Sequence, residues 1–370
     1  MIRASVRRLV RERYLPQAAA LFEEERFPKE LIPELAEMGL LGASIKGYGC
    51  AGMSAVEYGL ILQELEYGDS GLRSFVSVQG SLAMHAIAAY GDEEQKQRFL
   101  PEMAAGRLIG CFGLTEPDSG SDPGSMQTRA RPDGDDYVLT GTKMWITNSP
   151  FADVAVVWAK VGDGDARSIR GFIVERGMAG FETPTIHGKM SLRASTTGEI
   201  VLDECRVPAR NMLPGKQGLG GPLGCLSQAR FGIAWGALGA AKACFESTVS
   251  YTRERTQFGV PIAKKQLVQA TLADLASEIV KGDILALHYG RMKDQGSLSP
   301  VQVSLAKRNN VGVALDVARR CRGLLGGNGI LLEYPAIRHM LNLESVYTYE
   351  GTHEVHTLVL GKALTGEDAF

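Results

Sequence analysis

Residues 348–354 read TYEGTHE and set Glu350 between Tyr349 and Gly351 near the C-terminal end of the chain. At a break in regular structure, with a glycine beside it, such a carboxylate is open to close approach by backbone or ligand. The same residues also fit a solvated turn, because Glu is mostly exposed and Gly commonly ends helices. A second chemical pair is Arg73-Ser74, which follows Asp-Ser-Gly-Leu. A guanidinium matches a carboxylate through its planar paired donors, although an Arg in a loop is ordinarily solvated. Residues 353–356, HEVH, come close to a metalloprotease signature, but their histidines stand three apart and not four, so no zinc site is expected. No G-x-G-x-x-G follows a strand, and neither a P-loop nor a G-x-S-x-G elbow occurs, so Rossmann, P-loop and α/β-hydrolase chemistry are unsupported.

These residues need a large scaffold, and 370 residues supply two or three domains with a substantial core. Hydrophobic residues make up 45% and charged residues 22%, as in an ordinary soluble globular protein. A net charge of -2 without long Lys/Arg runs argues against nucleic acid as a partner. No apolar run is long enough to span a membrane. The six cysteines are widely spaced and form no Cys-x-x-Cys pair, which predicts buried free thiols in a reducing compartment. The Arg-rich start resembles a transit peptide, but Ile2, Val6, Leu9 and Val10 share one helical face. It is read as the first helix of a mature domain, and a prokaryotic cytoplasmic protein is expected.

The texture predicts an α+β chain in three parts. Residues 1–110 read as helices, with Asp92 as an N-cap. Residues 111–219 contain short β-branched and aromatic runs separated by Gly, Pro, Asp and Asn, a pattern that suits a small antiparallel barrel or sandwich. Residues 220–370 return to helical spacing, with Val268, Leu272, Leu275 and Ile279 on one face and Ser299-Pro300 as a helix start. Gly326-Gly327-Asn328-Gly329 breaks the next long helix.

Taken in order, CFGLTEPDSGSDPGSMQTRA at Cys111, KMWITNS at Lys143, RERTQFGVPIAKKQ at Arg253, LLGGNGI at Leu324 and TYEGTHE resemble the acyl-CoA dehydrogenase flavoproteins. The resemblance spans essentially the whole chain. It implies an N-terminal α-helical domain, a middle β-barrel domain and a C-terminal four-helix bundle, assembled as a homotetramer. It also implies FAD bound without a Rossmann fold, and an electron-transferring flavoprotein as electron acceptor. GLRSFVSVQGSLAMHAI, SLRAS and LGGPLGCLSQARFGIAWG are similar to the glutaryl-CoA dehydrogenase branch, which decarboxylates its product to crotonyl-CoA in lysine and tryptophan degradation. Tyr67, Gly68 and Leu72 depart from that branch near the expected acyl pocket.

By this resemblance Glu350 is the catalytic base, a role that burial would serve by raising its pKa, and Gly351 lets the thioester lie close. Arg73 and Ser74 bind the distal carboxylate of glutaryl-CoA, flanked by Glu66 and Tyr349, while Arg230 lies near the thioester. Phe112, Leu114, Thr115 and Ser121 belong to a loop over the flavin, with Ser121 also on the CoA side. Trp145, Ile146 and Thr147 stack on the ring. Arg255 and Gln266 hold the diphosphate and adenine end, and Gly323, Leu324, Leu325, Gly326 and Gly327 reach the same cofactor from a neighbouring subunit. Thr352, His353, Glu354 and Phe370 align with further flavin contacts. Two alternatives stand beside this reading: a short-chain acyl-CoA dehydrogenase without decarboxylation, and a catalytically silent flavin- or acyl-CoA-binding protein. A charged Arg73 would be poorly paired by an apolar acyl tail.

Overall fold

The structure is a computed structural model and describes residues 2–369. Val6 and Leu9 of α1 (Ile2–Leu9) are buried, as the one-faced pattern requires. The helix continues through a π turn, Val10–Tyr14, that buries Val10 and Tyr14. Short helices α2 (Ala18–Glu23) and α3 (Ile32–Glu37) follow, then the two-residue strands β1 (Lys46–Gly47) and β2 (Cys50–Ala51). Ser54 and Glu57 form a reciprocal capping box that starts α4 (Ala55–Gly68). Asp69 then caps α5 (Ser70–Ser77), accepting from Gly71 N. Beyond a π turn at Val78–Met84 come α6 (His85–Tyr90) and α7 (Glu93–Ala104), the latter opened by a second capping box of Asp92 and Gln95.

The strands are β3 (Gly110–Gly113), β4 (Arg129–Asp133), β5 (Asp136–Thr147), β6 (Val154–Val161), β7 (Ile169–Glu175), β8 (Phe181–Glu182) and β9 (Thr197–Pro208). They form one seven-stranded sheet in the order β3-β6-β4-β5-β9-β8, with β7 on β6. It is mixed, not purely antiparallel as the turn spacing suggested. β6 inserts between β3 and β4 and runs parallel to both. The long connection from β3 to β4 leaves room for that insertion, and it carries the TEPDSGSD segment out of the sheet.

The C-terminal third contains α8 (Gly220–Glu254), the two-residue strands β10 (Thr256–Gln257) and β11 (Val260–Pro261), α9 (Gln266–Asp294), α10 (Pro300–Leu324), α11 (Pro335–Thr348) and α12 (His353–Thr365). Ser299 caps α10 with Pro300 at its first position and Gln302 closing the box. Helix α4 lies so close to α8 that glycines form the seam. A Cβ on Gly239 would stand 1.9 Å from Gln63 O, and one on Gly232 2.3 Å from Leu62 Cδ1. No helix among the described residues is long and apolar enough to cross a membrane. All six cysteines are free, with Cys50 half-buried and the rest buried.

Candidate active site

Glu350 stands at the corner between α11 and α12. Helix α11 ends when Tyr349 N–H bonds back to Ser345 O at 2.9 Å, and Thr352 caps α12 by accepting from Val355 N at 3.2 Å. Between these caps Glu350 has φ +52° and Gly351 φ +91°. The left-handed region is open to glycine and costs a glutamate about 1–2 kcal/mol. A side chain on Gly351 would also crowd His356 Nε2 at 2.9 Å and Arg230 Nη2 at 3.1 Å. Oε2 of Glu350 is buried without a hydrogen-bond partner. Burial raises this carboxyl above its ordinary value, while Arg73, Arg230 and Lys307 pull in the opposite direction.

Arg73 projects from α5 and is 1% exposed; Glu66, on α4, is 0% exposed. Arg73 Nε donates to Glu66 Oε2 at 2.7 Å, and Nη2 donates to the Tyr349 hydroxyl. Ser70 Oγ donates to the other Glu66 oxygen at 2.8 Å. Ser74 Oγ lies buried beside the Tyr349 phenol without a hydrogen bond of normal geometry. The pair fits because α8 has Gly236 here: a Cβ would fall 2.1 Å from Glu66 Oε2. Two of the five guanidinium hydrogens are engaged, so both Nη1 hydrogens remain for a further acceptor. Tyr67 turns its hydroxyl to the exposed Glu246 at 2.8 Å, and Leu72 packs in the N-terminal core.

A second buried network fixes α5 against α11. Asp69 accepts from Arg338, and from Asn342 Nδ2 at 3.0 Å, while Arg338 also donates to Gly68 O at 2.8 Å. Asn342 in turn accepts from Leu192 N at 2.8 Å, which brings in the SLRAS loop. The residue bearing Arg73's helix cap is thus tied to the helix whose end carries Glu350.

Phe112 and Leu114 are buried, Thr115 is half-buried and Ser121 exposed. Met144 N–H donates to Thr115 O at 2.9 Å, which sets this loop against the KMWIT strand. Beneath both, Lys143 Nζ donates to Glu116 Oε1 at 2.8 Å and Leu114 O at 3.1 Å in a buried ion pair. The register of β5 on β9 breaks between Lys143 and Ile146, where Trp145 takes φ +63°. A bulge re-aims the side chain it carries, and Trp145 is 56% exposed and not a core residue. Ile146 is buried and Thr147 half-buried, paired with Thr197.

Arg255, Gln266, Gly323, Gly326 and Gly327 are exposed at the end of the bundle where α8 gives way to α9 and α10 stops; Leu324 is half-buried. Asn328 Nδ2 bonds Tyr251 OH at 3.1 Å across that end. Leu325 is a core residue, so only its backbone is available to a ligand. Thr352 and His353 are half-buried and Glu354 exposed. His353 stacks on Tyr347 with ring centroids 4.3 Å apart. Phe370 lies outside the described residues. No group of His, Cys, Asp and Glu among the described residues is placed to hold a metal.

Sequence reasoning missed Lys307, Gly236, Asp69, Arg338 and Asn342. Lys307 had a signal: it lies one turn from Val303 and Val311 on the face that α10 buries. A lysine on an apolar stripe requires partners.

Three family models match the chain: the acyl-CoA dehydrogenase N-terminal domain over residues 1–107, the middle domain over 111–205 and the C-terminal domain over 216–365. The chain belongs to the acyl-CoA dehydrogenase family. Its relatives within the acyl-CoA dehydrogenases include a short-chain specific enzyme of Clostridium acetobutylicum, 36% identical over 97% of this chain and 96% of that protein. A glutaryl-CoA dehydrogenase from Mycobacterium smegmatis, solved in complex with FADH2, is 56% identical. It superposes with a TM-score of 0.97 over 100% of this chain and 95% of that one. Butyryl-CoA dehydrogenase from Megasphaera elsdenii is 34% identical with a TM-score of 0.93, covering 98% of each chain.

Proposed function

We propose that this acyl-CoA dehydrogenase uses FAD to oxidise glutaryl-CoA and then decarboxylates the product to crotonyl-CoA. The observation that carries the reading is Arg73, a buried guanidinium with free donors near the carboxylate of Glu350. Three cations, Arg73, Arg230 and Lys307, interact with Glu350, and Glu66 is the second buried carboxylate beside them. That cluster has a surplus of positive charge, which suits an acyl chain ending in a carboxylate and not one ending in a methyl group. The 56% identity to a glutaryl-CoA dehydrogenase supports the same choice.

The residues present suit FAD. Trp145 offers an exposed aromatic face beside Thr147, and the Met144–Thr115 bond brings the second loop alongside. We assign Thr115, Ser121, Trp145, Ile146 and Thr147 to the ring, over a floor of Phe112 and Leu114. Arg255 and Gln266 take the diphosphate and adenine end, while Thr352, His353, Glu354 and Phe370 make further contacts with the flavin. The segment 323–327 belongs to the site of a neighbouring copy. Bound FAD supplies the acceptor for two electrons and the β-hydrogen.

Glu350 takes the proton α to the thioester carbonyl, and Gly351 admits the thioester. The Glu350 N–H donates to the carbonyl oxygen as it gains charge. Oxidation leaves the distal carboxylate on the γ-carbon, next to a new double bond that is conjugated with the thioester. When the bond to CO2 breaks, its electrons pass into a dienolate held by the same donor. Glu350 returns its proton to the γ-carbon, and crotonyl-CoA results. Arg73 positions the carboxylate, with Glu66 sharing its charge so that CO2 can depart.

An electron-transferring flavoprotein is the proposed acceptor, and a homotetramer the proposed assembly, with units at 1–110, 111–219 and 220–370. The second reading, a short-chain dehydrogenase without decarboxylation, is favoured by the 36% identical short-chain relative. Parallel turnover of glutaryl-CoA and butyryl-CoA, with CO2 and product mass recorded, separates the two. Crotonyl-CoA with stoichiometric CO2 is expected from glutaryl-CoA. Glutaconyl-CoA without CO2 would leave a dehydrogenase only.

A further inference from the structure

Lys307 lies on the buried face of α10 and is 1% exposed. Its Nζ donates to Tyr349 O at 2.9 Å and to Gly351 O at 2.8 Å, the two carbonyls that flank Glu350. Arg230, on α8, donates its Nε to the carbonyl between them, Glu350 O, at 2.6 Å. Three successive carbonyls of one corner therefore accept from two side-chain cations of different helices. Helix ends and corners ordinarily satisfy such groups with backbone or water. Here both peptide planes around Glu350 are fixed from inside the protein.

We propose that Lys307 is a positioning residue for Glu350, holding with Arg230 the left-handed corner that leaves the Glu350 carboxylate unpartnered and aimed at the substrate. The proposal rests on the reading of Glu350 as the base. Glu350 holds φ +52° at this corner, in the left-handed region that favours glycine. Residues in such conformations last only when their surroundings over-determine them. Lys307 makes no hydrogen bond to the carboxylate itself; its bonds go to the backbone on either side.

Several charged groups face Lys307: Glu350 at the corner, Arg230 from α8, Arg73 from α5, and Glu354 from α12. His353 and His356 of α12 feel its charge in turn, and the Tyr349 ring lies 5.9 Å from Nζ. Burial lowers the Lys307 ammonium to about 7, with Glu350 opposing and Arg230 and Arg73 adding to the fall. Loss of its proton would still leave an amine with two N–H groups, enough for both carbonyls. The positioning role therefore depends on donors more than on charge, and two variants distinguish these.

Lys307→Met keeps the length and removes the donors; Lys307→Gln keeps an N–H donor and removes the charge. Hydrogen exchange is followed in the FAD-loaded enzyme over residues 345–355, alongside kcat and KM on butyryl-CoA. The Met variant is expected to exchange about tenfold faster in this segment alone, and to lose about tenfold in kcat with KM within about twofold, as the net effect of losing both hydrogen bonds to the corner. The Gln variant is expected to recover most of both. Parental exchange in the Met variant, or a Gln variant no better than Met, overturns the proposal. If the Met variant does not fold, Gln decides alone: parental exchange and kcat support the donor role, and loss of both overturns it. The exchange arm stands whether or not Glu350 is the base, which Glu350→Gln tests separately.

Discussion

At the scale of single residues, the decisive quantity is how tightly Glu350 holds a proton. Burial raises its carboxyl above the ordinary range of about 4.3. A base must be ionised, so kcat/KM should climb with pH on an acidic limb that lies above that range. A pH–rate profile on butyryl-CoA checks it. If Glu350 is the base, replacing it while keeping its shape, Glu350→Gln, should cost about a hundred- to ten-thousand-fold in turnover and leave FAD binding intact. The same shift makes a prediction about stability. The native state binds this proton more tightly than the unfolded chain does. Its contribution is full below the unfolded value and is lost as pH rises through the folded one. The melting temperature of Glu350→Gln should therefore match the parent's at low pH, exceed it as pH rises through the folded value, and hold that difference above it. Arg73 carries the substrate argument. Arg73→Met leaves Glu66 as a lone buried carboxylate, so the informative form is the pair Arg73→Met with Glu66→Gln. It should lower glutaryl-CoA use by about two to three orders of magnitude, as for loss of one partner of a buried charge pair, and spare butyryl-CoA. Equal losses on both substrates would remove Arg73 as the anchor.

At the scale of elements, α4 and α8 hold the Glu66–Arg73 pair only because their seam is made of glycines. Gly239→Ala would set a Cβ 1.9 Å from Gln63 O and 2.8 Å from Tyr67 N, both backbone atoms that no rotamer change can move. Overpacking of this kind costs about 1–3 kcal/mol, which thermal unfolding would register as a lower melting temperature. Such seams show why the chain could be read only in part. Caps at Asp92 and Ser299 and the buried positions of α1 are local, and local chemistry is written in order along the chain. The placement of β6 between β3 and β4 is a matter of strand order, which turn residues do not encode. Glu350, Arg73 and Trp145 stood out through motifs. Asp69, Arg338 and Asn342 act through partners far along the chain and have no neighbour in sequence to announce them, whereas Lys307 was marked only by the apolar positions one turn either side of it. The bulge at Trp145 was hidden for a related reason: an alternating strand and a strand with one slipped residue differ little in composition.

At the scale of the whole molecule, exposed apolar side chains are candidate contacts for the proposed tetramer. Leu267, Val280 and Ile284 stand exposed along α9, Leu267 at the helix start beside Gln266 and the other two near its middle. If the cofactor is shared across that boundary, Leu267→Glu with Ile284→Glu should yield a smaller species in sedimentation and release FAD into the filtrate. A smaller species that keeps its yellow colour would show each chain binding FAD alone. The Asp69 network bears on something else, the order in which the protein is made. Asp69 emerges early from the ribosome, yet its cation, Arg338, and the amide of Asn342 arrive only with the last stretch of chain, and Asn342 also holds Leu192 from the middle. Until then an isolated carboxylate cannot be sealed from water at the α4–α5 corner. The first helices must therefore wait partly open on the nascent chain, and a product truncated before residue 338 would carry that defect for good, a natural mark for proteolysis.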